Sequence, residues 1–298
     1  MRFAVLITIL SIQSISFGQN LAESEELMNE QLALVGEAET GDERVSANTV
    51  FRNLLLATFD STGVFDYPFD GVPKLAAITS PDGKFRLFNW HRPMPDGTHQ
   101  YEAILLFPDG EGYAELTDAS ELSAAETAGE ITPANWYGAL YYDIIPVSKK
   151  KQDYYVLLGW DATSEITTRK VMDALHFTDD SSPVLGKPVF ETEDGFVHRR
   201  VFEYAADVSM TVKYVHPFDA IVFDKLEPLQ PGLKGQHQFY GPGTGLSGYT
   251  VSKDGRLSLT ETMDMSRPKE VESEARFNFP ERPDYDRVRG KKNPLTGE

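Results

Sequence analysis

Between Leu21 and Asp60 the apolar residues recur at helical spacing, and from Lys74 onward the period shortens to two. The first helical stretch, LAESEELMNEQLALVGEAE, sets Leu27, Leu32 and Leu34 among acidic and amide side chains, which predicts a solvated, loosely held helix. The second, SANTVFRNLLLATF, opens on Ser46, whose hydroxyl suits an N-cap, and then runs strongly apolar, which predicts a helix packed against the rest of the protein. Gly36 and Gly41 bracket the break between them.

Past Lys74, KLAAITS, KFRLFNW, QYEAILLF and GYAELTD are short runs separated by PDG, PDG and PDGEG, where glycine supplies the positive φ of a tight turn. Four strands this close in sequence predict an antiparallel sheet unit. Asp118 with Glu121 three residues on can form a capping box, and Gly129 can end the short helix it opens. WYGALYYDIIPV and DYYVLLGWD carry apolar residues at both parities, as central strands do. VFETEDGFVHRRVFEY predicts a hairpin around Glu193, Asp194 and Gly195. In VSMTVKYVH, Met210, Val212 and Tyr214 alternate with polar residues, the pattern of a strand with one wet face, and DAIVFDKL and RLSLTETMD add two more strands. TTRKVMDALHF fits a helix through Val171, Met172 and Leu175, or a strand through Val171, Asp173, Leu175 and Phe177; its neighbours favour the strand.

The fold class is therefore mainly β, with antiparallel multi-hairpin sheets arranged as a sandwich, an open barrel or a propeller-like stack, behind a short N-terminal helical region. The openings DGKFRLFNW, DGFVHRRVFEY and DGRLSLTETM echo one another at uneven intervals and do not amount to a repeat. The chain divides into a leader (1–18), a helical lead (19–62), a principal β domain (63–265) and a proline-rich, charged tail (266–298) that is extended or disordered, with ARFNF as its one edge-strand candidate.

The leader, MRFAVLITILSIQSISFGQN, has one arginine, an apolar run from Phe3 to Ile15, and Ser16 and Gly18 at cleavage-site spacing, the grammar of a secretory signal peptide. Its apolar core is shorter than the roughly 20 residues that span a bilayer. The expected product is a protein of the periplasm or medium, soluble once the leader is cleaved, with no transmembrane segment in the mature chain. The sequence has 0 cysteines, so it offers no disulfide framework, no thiolate chemistry and no thiol for lipid attachment. A chain of 298 residues is long enough to bury a core without such staples. Its net charge of −18 repels phosphate backbones and anionic membrane surfaces, which argues against a nucleic-acid partner.

Candidate chemistry is sparse. His91 and His99 flank Asp96 beside Trp90, but they lie on opposite sides of a turn carrying Pro93, Pro95 and Gly97, which reads as a hairpin with a polar turn rather than a reactive cluster. His176, His198, His216 and His237 are scattered singly, so neither a metal site nor a cofactor site is expected. No G-x-S-x-G occurs; Ser247 in GLSGY has only the composition of a nucleophile elbow, and GPGTG (241–245) lacks the lysine of a phosphate loop and reads as an ordinary loop. Among the many carboxylates, Asp161, just after Trp160, is the first catalytic candidate, with Asp143 and Asp219 behind it; the alternative for each is a turn or strand-end carboxylate. Trp136, Tyr137, Tyr141, Tyr142, Tyr154, Tyr155 and Trp160 crowd one stretch, either as core or as an exposed platform for sugar or peptide. Trp90, Trp136, Tyr142 and Trp160 are the ligand-binding candidates.

The segments KFRLFNWHRPMPDGTHQYEAIL, NWYGALYYDIIPV, YYVLLGWD, RRVFEYAADVSM, IVFDKLEP and QFYGPG together resemble a set of exported, β-rich proteins of Bacteroidetes-type bacteria. The likeness covers about residues 65–265 and is most specific at YYVLLGWD and FYGPG. It implies export and a β-rich fold and brings no activity or catalytic residue with it. Two functions stand: a non-catalytic binding or envelope-associated module whose partner is an envelope component, peptide or glycan, and a carboxylate-dependent, glycosidase-like hydrolase of the periplasm or medium.

Overall fold

A computed structural model describes residues 21–119, 129–150 and 152–266. The leader, the body of the helix expected after Asp118, and the tail with its ARFNF strand lie outside the described residues.

Helices α1 (Leu21–Glu37) and α2 (Gly41–Thr58) form the expected pair. The cap of α2 is Thr40, not Ser46. The Thr40 hydroxyl accepts from the Glu43 amide at 3.2 Å, and the Glu43 carboxylate accepts from the Thr40 amide at 3.2 Å, a capping box written in the sequence as TGDE. Nor is α1 loosely held. Its apolar stripe runs through Met28, Leu32 and Val35, all buried, while Leu27 and Leu34 point outward.

Among the described residues fifteen strands follow in three sheets. The first is the predicted unit, β1 (Ala76–Thr79), β2 (Arg86–Pro93), β3 (His99–Leu106) and β4 (Tyr113–Thr117), in sequential antiparallel order. The second runs β11 (Arg199–Ala205), β7 (Thr167–Phe177), β6 (Gln152–Asp161), β5 (Leu140–Lys149), with β8 (Pro183–Leu185) beside β7. TTRKVMDALHF is thus a strand. The third contains β9 (Phe190–Thr192), β10 (Gly195–Val197), β12 (Val212–Val215), β13 (Ala220–Pro228), β14 (Tyr240–Val251) and β15 (Leu257–Thr260). The hairpin at Glu193–Gly195 forms as expected, after which the chain crosses to the second sheet as β11.

Side-chain parity shows how the sheets stack. Phe88 and Trp90 of β2, with Ile104 and Leu106 of β3, pack on the helical pair. The opposite parity, Phe85 and Leu87 with Tyr101, Ala103 and Leu105, packs on Tyr155, Leu157, Val171 and Leu175 of the second sheet. The other face of that sheet, through Val156, Leu158, Met172 and Ala174, packs on Ile221, Phe223 and Tyr249 of the third. The order is helices, sheet, sheet, sheet: a layered stack with no closed barrel. Both faces of β5 and β6 are apolar because their sheet is the middle layer. Within that sheet β5 is an edge strand, so "central" describes its depth and not its pairing.

The glycine-rich GPGTG is not a loop. It lies inside β14, paired with β13 through Leu226↔Pro242 and Glu227↔Gly241. A Cβ on Gly243 would fall 2.5 Å from the Glu227 side chain, so glycine is present for close cross-strand approach and carries no alternation by which a strand could be recognised. Among the described residues no helix is long and apolar enough to cross a membrane.

Candidate functional site

The β2–β3 register pairs His91 with Tyr101 and Pro93 with His99, which makes the two histidines diagonal neighbours on the face turned to the second sheet. Their rings stack at 4.6 Å between centroids and 16°, with Nδ1 to Nδ1 at 2.6 Å, so one imidazole donates and the other accepts. Burial, reinforced by the nearby His99 and Lys74, lowers the His91 pKa from 6.5 to about 4; burial lowers that of His99 as well. Asp96 takes no part. Its carboxylate accepts from the Thr98 amide at 3.0 Å and the Thr98 hydroxyl at 2.6 Å, which caps the turn. Among the described residues no three His, Asp or Glu side chains are grouped as metal ligands.

Trp160, at the end of β6, stands edge-on to both histidines, at 6.2 Å from His91 and 6.0 Å from His99. The next residue, Asp161, is turned to the opposite face of the strand and is buried. Its Oδ2 accepts from the Tyr137 hydroxyl at 3.1 Å and lies 3.6 Å from Arg169 Nη1, while Arg169 Nε donates to Glu203 at 3.0 Å. Tyr101 reaches the same place, its hydroxyl accepting from the Ala162 amide at 2.7 Å. Burial raises the Asp161 pKa, against the pull of Arg169 and the two tyrosine hydroxyls. Asp143 stands at the bulge of β5, where it accepts from the Ile144 amide at 3.0 Å. Asp219 holds a left-handed turn before β13, at φ 47°, and accepts from the Tyr214 hydroxyl at 2.9 Å. Each of the three carboxylates is engaged in a local network of its own, Asp161 and Asp143 in the second sheet and Asp219 in the third. Ser247 is likewise engaged, its hydroxyl donating to the Glu261 carbonyl at 2.8 Å.

The four ring candidates divide in two. Trp90 and Trp136 are 1% and 0% exposed, so neither can present a face to a ligand. Trp90 has the parity that faces the helices; its indole N–H donates to Asn48 at 2.8 Å and its ring meets Phe51 edge-on at 4.9 Å. Trp136 lies between the first and second sheets and donates to the Tyr141 hydroxyl at 3.0 Å. Tyr142 and Trp160 are half-buried. The Tyr142 hydroxyl donates to the Val212 carbonyl at 2.9 Å, and Lys170 Nζ stands 4.5 Å from the centre of its ring. Lys170 is also the direct cross-strand partner of Trp160. What remains at the surface is a rim of Trp160, Tyr142, Lys170, His91 and His99. The sequence had marked two of these as ligand candidates. Lys170 was legible only as a cation sharing the inward parity of Met172 and Ala174.

On the face of the second sheet turned to the first, opposite to that of Lys170, Asp173 and Arg199 form an ion pair that is 0% exposed on both sides, with Arg199 Nε and Nη2 donating at 2.9 and 2.8 Å. Tyr141 donates to the same Asp173 oxygen at 3.3 Å, and the guanidinium lies 5.1 Å from the Tyr137 ring centre. No family model, curated protein or solved structure matches this chain.

Proposed function

We propose that this chain is an exported, non-catalytic binding protein of the envelope or medium that contacts a peptide or glycan through the Trp160 rim. One observation carries the reading: of the ring candidates, only Trp160 and Tyr142 keep accessible surface, and they lie together beside a cation and two imidazoles. A flat ring with polar groups around it suits sugar or peptide contact. The leader and the resemblance to exported β-rich proteins support placement outside the cytoplasm.

The test uses the protein's own tryptophans, of which there are 3. With Trp90 and Trp136 buried, a fluorescence change on adding peptidoglycan fragments, neutral oligosaccharides or short peptides reports on Trp160. Binding should quench or shift that emission, and Trp160→Phe should abolish both the signal and the binding measured by calorimetry. Binding that survives Trp160→Phe overturns the reading.

One observation favours the hydrolase alternative: burial raises the pKa of Asp161, as a general acid requires. Asp161→Asn should leave binding intact if the carboxyl only ties β6 to Tyr137 and Arg169. Turnover of any glycan or peptide that Asp161→Asn abolishes would establish the enzyme instead.

A further inference from the structure

The chain carries 46 acidic residues, yet among the described residues no carboxylate lies within ion-pair distance of Lys170 and none accepts a hydrogen bond from its ammonium. Its surroundings are rings. Tyr142 lies beneath the ammonium, Trp160 is its cross-strand neighbour on one side, and Phe202 is its cross-strand neighbour on the other. We propose that Lys170 is the anion-recognising group of the Trp160 rim and that the ligand presents a carboxylate next to a flat apolar face. This rests on the binding role of the rim and adds the ligand's chemical class to it.

Three features make the assignment. An ammonium ion that stays in reach of water but is held against an aromatic face has shed part of its hydration, so a carboxylate can displace the rest at small cost. Trp160 and Lys170 are a cross-strand pair, which sets a flat ring and a cation side by side. The protein's own field repels anions at long range, so selection for one has to be made by a short-range contact of this kind. Burial lowers the Lys170 pKa to about 8, which keeps the amine charged at neutral pH and lets it lose the proton within an accessible range.

Two carboxylate sources share this chemistry, and both serve as probes: a glucuronate-containing disaccharide against its neutral glucose counterpart, and a tripeptide with a C-terminal leucine as free acid against its amide. At pH 7 one of the acids should bind roughly ten- to hundredfold more tightly than its neutral counterpart, the range of a charge-assisted hydrogen bond. Which pair shows the preference identifies the source. Lys170→Gln should bring that ratio to about one. Lys170→Arg should keep the ratio, and should hold it to pH 10, whereas in the wild type the ratio falls as pH rises through about 8. Equal binding of acid and neutral probes in the wild type overturns the assignment of Lys170 and leaves the Trp160 rim standing. Absence of all binding, or binding indifferent to Trp160→Phe, overturns both.

Discussion

Replacing Asp173 with asparagine tests whether the interior between the first and second sheets depends on charge balance. Both partners of the Asp173–Arg199 pair are fully enclosed, and the two guanidinium bonds to Asp173 Oδ2 measure 2.9 and 2.8 Å. Asp173→Asn keeps the shape and removes the negative charge, leaving a guanidinium that cannot discharge itself. Breaking a buried pair in this way costs about 3–5 kcal/mol, set against a total stability of about 5–15 kcal/mol for an ordinary domain. Arg199→Met strands the carboxylate instead and should cost a comparable amount. The double variant Asp173→Leu/Arg199→Met should recover most of the loss, because apolar replacement of a buried pair is often neutral. Among the described residues Arg199 Nη1 finds no partner even in the wild type, which lowers the value of the intact pair further. Urea titrations of wild type and the three variants by circular dichroism at pH 7 measure these losses. A loss below about 1 kcal/mol for Asp173→Asn, or a double variant as unstable as that single, refutes the reasoning.

Two further outcomes are expected. Gly138 has φ 82°, and a Cβ there would fall 2.4 Å from the Asp118 carboxylate that accepts from the Tyr101 amide; Gly138→Ala should therefore cost ~2 kcal/mol or more, against ~1 for Gly83→Ala, where φ is 71° and the space is open. Equal urea midpoints for the two variants remove the steric part of that claim. For His91, the folded pKa of about 4 lies below the ordinary 6.5, so the unfolded chain binds the extra proton between those values; the stability is full above 6.5 and is lost as pH falls toward 4, by up to ~3 kcal/mol. Asp161 and Glu102, whose pKa values burial raises, act in the opposite sense, so the measured quantity is the difference between wild type and His91→Gln at pH 7 and 4.5; parallel losses exclude the histidine as the source.

The first sheet was legible in the sequence because each of its turns carries a PDG signal and its strands alternate cleanly, one parity to the helices and one to the second sheet. The strand assignment of TTRKVMDALHF came from its neighbours; its own pattern is obscured by Arg169 and Asp173, charges at the parity of Val171 and Leu175, which are tolerated because Glu203, Asp161 and Arg199 answer them across the sheet. The strand through GPGTG was hidden because glycine leaves no side-chain pattern and Glu227 fills the space over Gly243. At the candidate site, Trp160 and Tyr142 could be named from composition, whereas the exclusion of Trp90 and Trp136 required knowing which face of each element is covered. The meeting of His91 with His99 depended on a register offset that spacing alone leaves open, and Lys170 gained its meaning only from what surrounds it.

The middle sheet, covered on both sides, has no spare area on which a site can be assembled. Any contact this molecule makes through that sheet has to be built where strands run out, from residues at the mouths of two interfaces at once. Trp160 occupies such a mouth, touching the first sheet's hairpin through its ring and the row leading to the third through its partner Lys170. Insertions and substitutions that retune what is bound can accumulate at the turns 94–98, 162–166 and 206–209 without disturbing either interface, so specificity and stability occupy separable parts of the chain.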